Sequence, residues 1–345
     1  MKIIIAILIF SFIVLFHELG HFLVAKKCNV KVNEFMLGLG PKLFGIKKGE
    51  TEYSIHLLPF GGACAMEGED EASDDERAFG NKPLWQRFLI VFAGPFFNFI
   101  LAYIIAVILI GVAGYYAPDI SEVVEGSPAE EAGLEAGDTL VSFNGFKLHF
   151  YKEISVYTYF HPAETLDIVY ERNGEKKETT VTPELDEESG RYLIGVIGTS
   201  DLVKGNPIQV LENGFHEMRY QIYVVFQSLR FLFTGKVSVR DMSGPVGIVK
   251  VMSDTYDESM ADGGVYYVVL NLMNFMVLLS ANLGVMNLLP FPALDGGRIL
   301  LFIIEGIRRK KMPPEIEGKI NFVGLALLMV LMVVVMVSDI FKFFG

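Results

Sequence analysis

Residues 3–27 read IIIAILIFSFIVLFHELGHFLVAKK, and this segment indicates how the rest of the chain is organised. Residues 3–16 are apolar with one exception, and an apolar run of this kind is typical of a membrane-spanning helix. The run leads into an HExxH pattern formed by His17, Glu18 and His21. Positions i and i+4 share one face of a helix, so both imidazoles can reach one zinc ion, with the glutamate as general base on a water.

The composition places the chain in the membrane class. It has 345 residues, of which 52% are hydrophobic, and its net charge is −12. No basic patch of the kind that binds nucleic acid is visible. Cys28 and Cys64 have no metal-ligand spacing and give no disulfide framework. We interpret the first apolar segment as a retained span, since it lacks a small-residue cleavage site and its core carries HELGH.

Four segments are long and apolar enough to cross ~30 Å of hydrocarbon. Lysine and arginine are concentrated after the first and third segments, and such residues favour the cytoplasmic side. We therefore expect both chain ends and the long region between spans two and three to lie outside the cell, with the HExxH site nearer the cytoplasmic face. The predicted spans are residues 3–25, 88–113, 265–289 and 322–341.

A third metal ligand is predicted just after the third span. The chain there reads NLLPFPALDGG, residues 287–297, and Asp295 falls on the same side of the membrane as His17 and His21. A zinc hydrolase uses three protein ligands and one open position for water, and Asp295 completes that number. The alternative is that Asp295 only caps a helix that starts at Gly297, and it would be favoured if HELGH were absent.

Three motifs in this order resemble the site-2 protease family of intramembrane zinc metalloproteases. They are HELGH, AGPFFN (residues 93–98) and NLLPFPALDGG, and they are most similar to the bacterial regulator-of-sigma-E protease type, which cleaves membrane-bound anti-sigma factors. The resemblance implies that His17, His21 and Asp295 bind one Zn²⁺ per chain and that Glu18 is the general base. It also implies that Asn287 holds the substrate near the metal.

Residues 35–62 read as short strands separated by turns. The resemblance implies that they form a re-entrant, β-hairpin-like loop beside the active site. An exposed strand edge there can pair with an unwound substrate, and we predict that Gly61 and Gly62 contact it. This chain reads GGACAM (61–66) where many relatives read GGYVKM, so this contact stays open. The acidic run 67–76 that follows is predicted to be a solvated loop.

Residues 114–203 turn polar, and their SPA–AGL–GD–NG pattern resembles a PDZ domain, which binds an extended peptide beside a sheet edge. The alternative is a spacer whose groove is unused. A hairpin is predicted at Arg172-Asn173-Gly174. Residues 204–264 are predicted to form an amphipathic helix at the outer membrane surface, followed by an SGPVG turn (243–247) above the active site.

Together these patterns predict a multi-span α-helical membrane protein. It would have four transmembrane helices, a re-entrant β-hairpin-like loop and an inserted extracytoplasmic α+β PDZ-like domain, and would lie in the bacterial plasma membrane in contact with lipid. The predicted parts are 1–113 with HELGH and the loop, 114–203 as the PDZ-like domain, 204–264 as the amphipathic segment, and 265–345 with the LDG motif.

The predicted function is intramembrane zinc metalloproteolysis of single-span membrane proteins. Anti-sigma factors or signal-peptide-like remnants would be cut after an upstream site-1-type protease has trimmed their ectodomains, and nucleic acid is not an expected partner. The main alternative is an inactive membrane scaffold acting through its PDZ-like domain, which the intact Glu18 disfavours. An anchored protease acting on cytoplasmic or misfolded proteins and a metal transporter are further alternatives; in the transporter case, spans beyond the first would be expected to carry histidine.

Overall fold

The structure, a computed structural model, describes residues 2–69, 71–237 and 244–344. The chain divides into two compact units. Unit 1 comprises Met1–Ile105 and Ser228–Gly345, and unit 2 comprises Ala106–Gln227.

Four helices in the described residues are long and apolar enough to cross a membrane, which confirms the four predicted helices by length and composition. The third is longer than expected, because a second helix joins its start at Gly263 and Gly264, where the backbone leaves helical geometry. The predicted span 265–289 begins directly after this kink. The four helices are α1 (Lys2–Lys27), α2 (Leu84–Ala113), α6 (Pro245–Asn287) and α8 (Pro314–Phe344).

The two halves of α6 fold back on one another, since Asn271 donates to Ser259 Oγ across the kink at 2.8 Å. The N-terminus of α6 is held by Asp339 of α8, whose buried carboxylate accepts from the backbone N–H of Gly244 at 3.1 Å and of Gly247 at 2.8 Å. A carboxylate at this position satisfies free N–H groups and complements the helix dipole.

The predicted SGPVG turn is therefore wrong where it is described, because α6 already begins at Pro245. Proline suits the first position of a helix, and Asp339 supplies the acceptors that a free helix end lacks. Ser243 of this motif lies outside the described residues. The predicted amphipathic helix is present as α5 (Pro207–Phe233).

A long hairpin of β1 (Val32–Lys48) and β2 (Thr51–Met66) follows α1. Residues 34–37 of β1 each pair with two partners, one in 52–55 and one in 62–65 of β2. The two strands thus bend into a sheet in which the 62–66 part of β2 pairs only with β1, as far as the described residues go. Large apolar side chains are exposed on the hairpin, including Leu43, Phe44 and Ile55.

The acidic run after β2 is only partly solvated. The prediction of a solvated loop is therefore wrong for those residues of the run that are half-buried. Lys31 and Asn33 both donate to Glu67, and Arg298 of α7 (Asp295–Arg308) donates to Glu69 at 2.6 Å. These partners lie far away in the chain, so the charge run alone could not reveal them. Exposed positions do remain at Glu71, Asp74 and Glu76.

Unit 2 is built on an antiparallel sheet of four strands, β4 (Thr139–Phe143), β5 (Phe146–Lys147), β6 (Leu166–Arg172) and β7 (Glu175–Val181). Their order in the sheet is β5-β4-β6-β7. The predicted hairpin is confirmed, because Arg172 pairs with Glu175 while Asn173 and Gly174 adopt positive φ. The sheet buries a core that includes Leu140 and Phe143. The elements are β3 (Ile120–Val123), α3 (Pro128–Glu131), β4 (Thr139–Phe143), β5 (Phe146–Lys147), α4 (Lys152–Phe160), β6 (Leu166–Arg172), β7 (Glu175–Val181), β8 (Glu184–Asp186), β9 (Arg191–Leu193) and β10 (Val196–Gly198).

A histidine pair in unit 2 makes its stability pH-dependent. The His149 ring stacks on His216 with centroids 3.5 Å apart, and Arg219 donates to His149 Nδ1 at 3.1 Å, which requires a neutral imidazole. Burial, then the neighbouring His216 and Arg219, lower the pKa of His149 to about 4. An unfolded histidine titrates near 6.5. The folded state therefore binds fewer protons between these values, and stability is lost as the pH falls through this window.

We expect unit 2 to lose up to about 3 kcal/mol of its free energy of unfolding between pH 7 and pH 4 through His149. The urea concentration at which unit 2 unfolds measures this loss at each pH. Hydrogen exchange of β4 and β6 in the full-length protein detects the unfolding. His149→Gln should flatten the pH slope, whereas His161→Gln, outside this cluster, should keep it. Equal slopes in the wild type and His149→Gln would contradict the assignment.

Candidate metal centre

The two histidines of HELGH meet on the buried face of α1. His17 is 6% exposed and His21 is 8% exposed, and their Nε2 atoms lie 3.2 Å apart. The i, i+4 spacing predicts this arrangement, because residues four apart stand one above the other on a helix. Both nitrogens point to one spot within unit 1.

Asp295 reaches the same spot. Its Oδ2 lies 3.2 Å from His17 Nε2 and 3.5 Å from His21 Nε2. Asp295 is the first residue of α7, and the residue before it, Leu294, makes no side-chain cap. The helix therefore does not start at Gly297, and the alternative in which Asp295 caps such a helix does not fit.

The irregular backbone before α7 brings Asp295 to this depth. Ala293 has a φ of +73°, and the chain turns so tightly that Gly296 and Gly297 contact preceding backbone carbonyls. A Cβ on either glycine would lie closer than 3.0 Å to those carbonyls, a distance that real Cβ atoms do not show. Glycine is needed at both positions because only its backbone fits.

Each imidazole is oriented by a partner on α2. His21 Nδ1 lies 2.8 Å from the carbonyl oxygen of Ile90 and must donate to it, because a carbonyl only accepts. The lone pair of His21 Nε2 is therefore left for a metal. His17 Nδ1 lies 3.1 Å from the amide of Asn98, and Ser280 donates to the Asn98 backbone carbonyl at 2.8 Å.

Asn98 is fully buried, and its Oδ1 has no hydrogen-bond partner among the described residues. A rotation of its amide by 180° would bring Oδ1 to His17 Nδ1, where it would accept the proton that a neutral imidazole carries when Nε2 binds a metal. Asn98 thus fits the metal-bound form of His17. The amide can serve this role without moving its backbone.

Two glycines permit the close approach of α1 and α2. A Cβ on Gly20 would lie closer than 3.0 Å to the carbonyl of Ala93. A Cβ on Gly94 would lie closer than 3.0 Å to each of the two imidazoles. Small residues at a helix contact let two backbones approach. The histidines therefore fill the space that the missing side chain of Gly94 leaves.

The donor set suits a zinc ion. The ligand atoms of His17, His21 and Asp295 all lie within 4.8 Å of one another, and the buried Oδ2 of Asp295 has no hydrogen-bond partner in the described chain. Two imidazole nitrogens and one carboxylate oxygen are a ligand set typical of catalytic zinc, with the fourth position left for water. A cation would also satisfy the orphaned carboxylate oxygen.

A cavity of about 430 Å³ opens at this centre. Glu18, the predicted general base, and Asn287, predicted to hold the substrate, both line it. Gly61 and Gly62 are absent from its lining, although a Cβ on Gly62 would contact Glu18 at 3.4 Å. The hairpin instead contributes Ala63, Cys64, Ala65 and Met66 to the wall.

Several residues of the site cannot be recognised from local sequence patterns. AGPFFN is a visible motif, but it gives no role to Gly94 and Asn98, because only packing against α1 reveals their contacts. Glu69 and Arg298 also line the cavity. The signal for Arg298 was its place in the DGGR turn of α7, whereas Glu69 was hidden in an acidic run.

The chain matches a known protein family and several relatives along nearly its whole length. The model of Peptidase family M50 matches residues 5–331. A Clostridium acetobutylicum protein is 42% identical over 339 residues, covering 98% of this chain and 97% of its own. The zinc metalloprotease RasP of Geobacillus kaustophilus is 34% identical over 419 residues, covering 98% of this chain and 97% of its own. The regulator of sigma-W protease RasP of Bacillus subtilis is 32% identical, with 98% of each chain covered.

Among solved structures, the PDZ domain of an SdrC-like protein from Listeria monocytogenes matches 26% of this chain and 90% of its own. The identity is 20% and the TM-score is 0.21. A TM-score of this size does not establish a shared fold.

We expect Gly94→Ala to remove metal from the purified protein, because the added Cβ would displace both imidazoles. Zinc content per chain, measured by mass spectrometry, tests this. Gly111→Ala on the same helix is the matched control, since its Cβ would make only ordinary contact, at 3.5 Å, with Val210. Full zinc occupancy in Gly94→Ala would show that the metal does not sit between His17 and His21.

Proposed function

The chain belongs to peptidase family M50, the site-2 protease family of zinc metalloproteases, and on that premise we propose that it hydrolyses a peptide bond within the membrane. The scissile bond lies in or near the transmembrane segment of a single-span membrane protein. The convergence of His17, His21 and Asp295 beside a cavity among apolar helices carries this proposal. Ionisable residues within membrane spans are costly and mark functional sites.

His17, His21 and Asp295 are assigned as the ligands of one Zn²⁺. Zinc supplies a Lewis acid that polarises the scissile carbonyl and lowers the pKa of water. Ile90, and Asn98 once its amide is rotated, would hold the imidazoles with both Nε2 atoms available to the ion. The two hydrogen bonds fix the tautomer and the orientation of each ring.

Glu18 is assigned as the general base. Its carboxylate accepts a proton from the attacking water as the water oxygen bonds to the carbonyl carbon. The same carboxyl group then gives this proton to the departing amine nitrogen as the C–N bond breaks. An inactive scaffold would have no need for a base beside a metal site, so the presence of Glu18 in the cavity disfavours that alternative.

The substrate is proposed to bind as an extended strand. A transmembrane helix hides its peptide bonds, so hydrolysis requires local unwinding. Residues 63–66 of β2 line the cavity and offer a strand edge for such a segment, and Gly62 leaves space beside Glu18. Gly61, at a φ of +83°, sets the bend before this edge, and Asn287 would hold the substrate backbone near the metal.

The proposed placement follows the positive-inside rule. The basic segments after the first and third spans lie in the cytoplasm, and both chain ends and the PDZ-like region lie outside the bacterial plasma membrane. The exposed apolar side chains of the hairpin, such as Leu43 and Phe44, support its insertion into lipid as a re-entrant loop. The metal centre then lies nearer the cytoplasmic side.

The proposed substrates are anti-sigma factors or signal-peptide-like remnants that an upstream protease has already shortened. The printed name of the Bacillus subtilis relative, a regulator of sigma-W protease, supports the first class. The four-part division into 1–113, 114–203, 204–264 and 265–345 assigns catalysis to the first and last parts.

The PDZ-like region is proposed to exclude substrates whose ectodomains are still bulky. Unit 2 holds a groove of about 170 Å³ between α4 and residues 193–197, lined by apolar side chains such as Val124, Ile154 and Leu193. An extended apolar peptide fits such a lining. The predicted PDZ pattern of the sequence is the reason for this assignment.

Glu18→Gln is expected to abolish cleavage of a model single-span substrate, because an amide cannot accept the proton from water. Cleavage products are measured by mass spectrometry after reconstitution with zinc. Zinc content should equal that of the wild type, since Glu18 is not an assigned ligand. Equal cleavage by Glu18→Gln and wild type would end the assignment of the function.

Deletion of residues 120–199 is expected to permit cleavage of a substrate that still carries its full ectodomain. The wild type should cleave only the shortened form, and both proteins should cleave the shortened form at similar rates. Discrimination that survives the deletion would remove the outer region from this role.

A further inference from the structure

An ion pair forms part of the cavity wall. Arg298 Nη1 donates to Glu69 Oε1 at 2.6 Å, and both side chains are 17% exposed. Both residues line the cavity together with Glu18 and Asp295. The pair therefore joins the segment after β2 to the first turn of α7 directly beside the metal ligand of that helix.

Glu69 also occupies the end of the strand edge. Its Oε2 accepts from the backbone N–H of Met66 at 3.3 Å. Residues 62–66 pair with β1, from Gly62 with Leu37 to Met66 with Val32. Since Ala63 to Met66 line the cavity, this is the edge that faces a substrate. Glu69 thus takes a backbone donor that an extended peptide would otherwise use.

We propose that the Glu69–Arg298 pair is the end wall of the substrate groove and determines which peptide bond is cut. This inference rests on the proposed function. A strand that pairs with the edge can move only in steps of two residues, because a single-residue step turns every side chain to the opposite face. The wall blocks the next such step, so the substrate has one register relative to Glu18.

The wall also selects the residue that abuts it. The Arg298 guanidinium lies between two carboxylates in a poorly solvated place, since its Nε is also 3.5 Å from Glu317 Oε1. An acidic substrate residue at the wall would bring a third carboxylate to this one guanidinium. The wall therefore rejects acidic residues.

The test uses Glu69→Gln in the full-length protein, reconstituted with zinc in vesicles of phosphatidylethanolamine and phosphatidylglycerol. The probe is a shortened single-span substrate, and mass spectrometry locates every cleaved bond. Glu305→Gln is the matched control. It breaks the buried Arg87–Glu305 pair, which likewise joins α7 to another element but does not line the cavity.

The wild type and Glu305→Gln should cleave one dominant bond. In Glu69→Gln, the share of cleavage at the bond two residues away should rise about tenfold, the effect of replacing a charged hydrogen-bond acceptor by a neutral one. In addition, a substrate carrying glutamate at the wall position should become cleavable, because Arg298 then faces one carboxylate fewer.

An unchanged bond in Glu69→Gln, together with continued rejection of the glutamate substrate, would overturn the wall while leaving the protease assignment intact. No cleavage by the wild type would instead overturn the proposed function, and this inference with it. If Glu69→Gln loses zinc or fails to fold, Glu69→Asp decides the matter. It keeps the charge but withdraws it from Met66, so it should shift the bond, and a wild-type bond pattern would refute the wall.

Discussion

Unit 1 depends on one constraint. Three electron-pair donors must be held together among apolar helices, where lipid cannot solvate them. The two imidazoles of α1 and the carboxylate of Asp295 are buried together, and burying a carboxylate without a partner is costly. A shared cation removes this cost only if all three groups hold their positions. Much of the surrounding structure can be understood as the means of holding them. Gly94 clears space for the rings, Asn98 orients one of them, and the irregular backbone before α7 brings the carboxylate to the required depth.

The buried ion pairs of α7 contribute more to the position of this helix than to the free energy of unfolding. Glu69–Arg298 and Arg87–Glu305 are both largely buried, and a buried pair gains little over an apolar packing of the same volume. Removing one partner is nevertheless costly, because the opposite charge loses its nearest counter-charge. Such pairs therefore fix the position of the helix that carries them. Their presence at the ends of α7 keeps the ligand-bearing helix in one position relative to β2 and α2.

Much of this arrangement could be predicted from local patterns. The HELGH spacing, the four apolar helices and the hairpin at Asn173-Gly174 are written in consecutive residues, and each depends on short-range physics. The roles of Gly94 and Asn98 could not be predicted, because they depend on which face of α2 meets α1. The same holds for the start of α6. A Gly/Pro motif that suggests a turn becomes a helix end once a distant carboxylate, Asp339, accepts its N–H groups.

The unequal packing of the spans bears on how a substrate would reach the cavity under the proposed function. Gly20 and Gly94 let α1 and α2 approach closely, and α7 carries a metal ligand. In α8 only 11% of the apolar window is buried, against 33% in each of the other three spans. Asp339 holds α8 near one end, and Glu317, 3.5 Å from Arg298, holds it near the other. The middle turns of α8 are therefore the least packed part of the four spans, and a peptide that arrived from the bilayer there would not have to part α1 from α2.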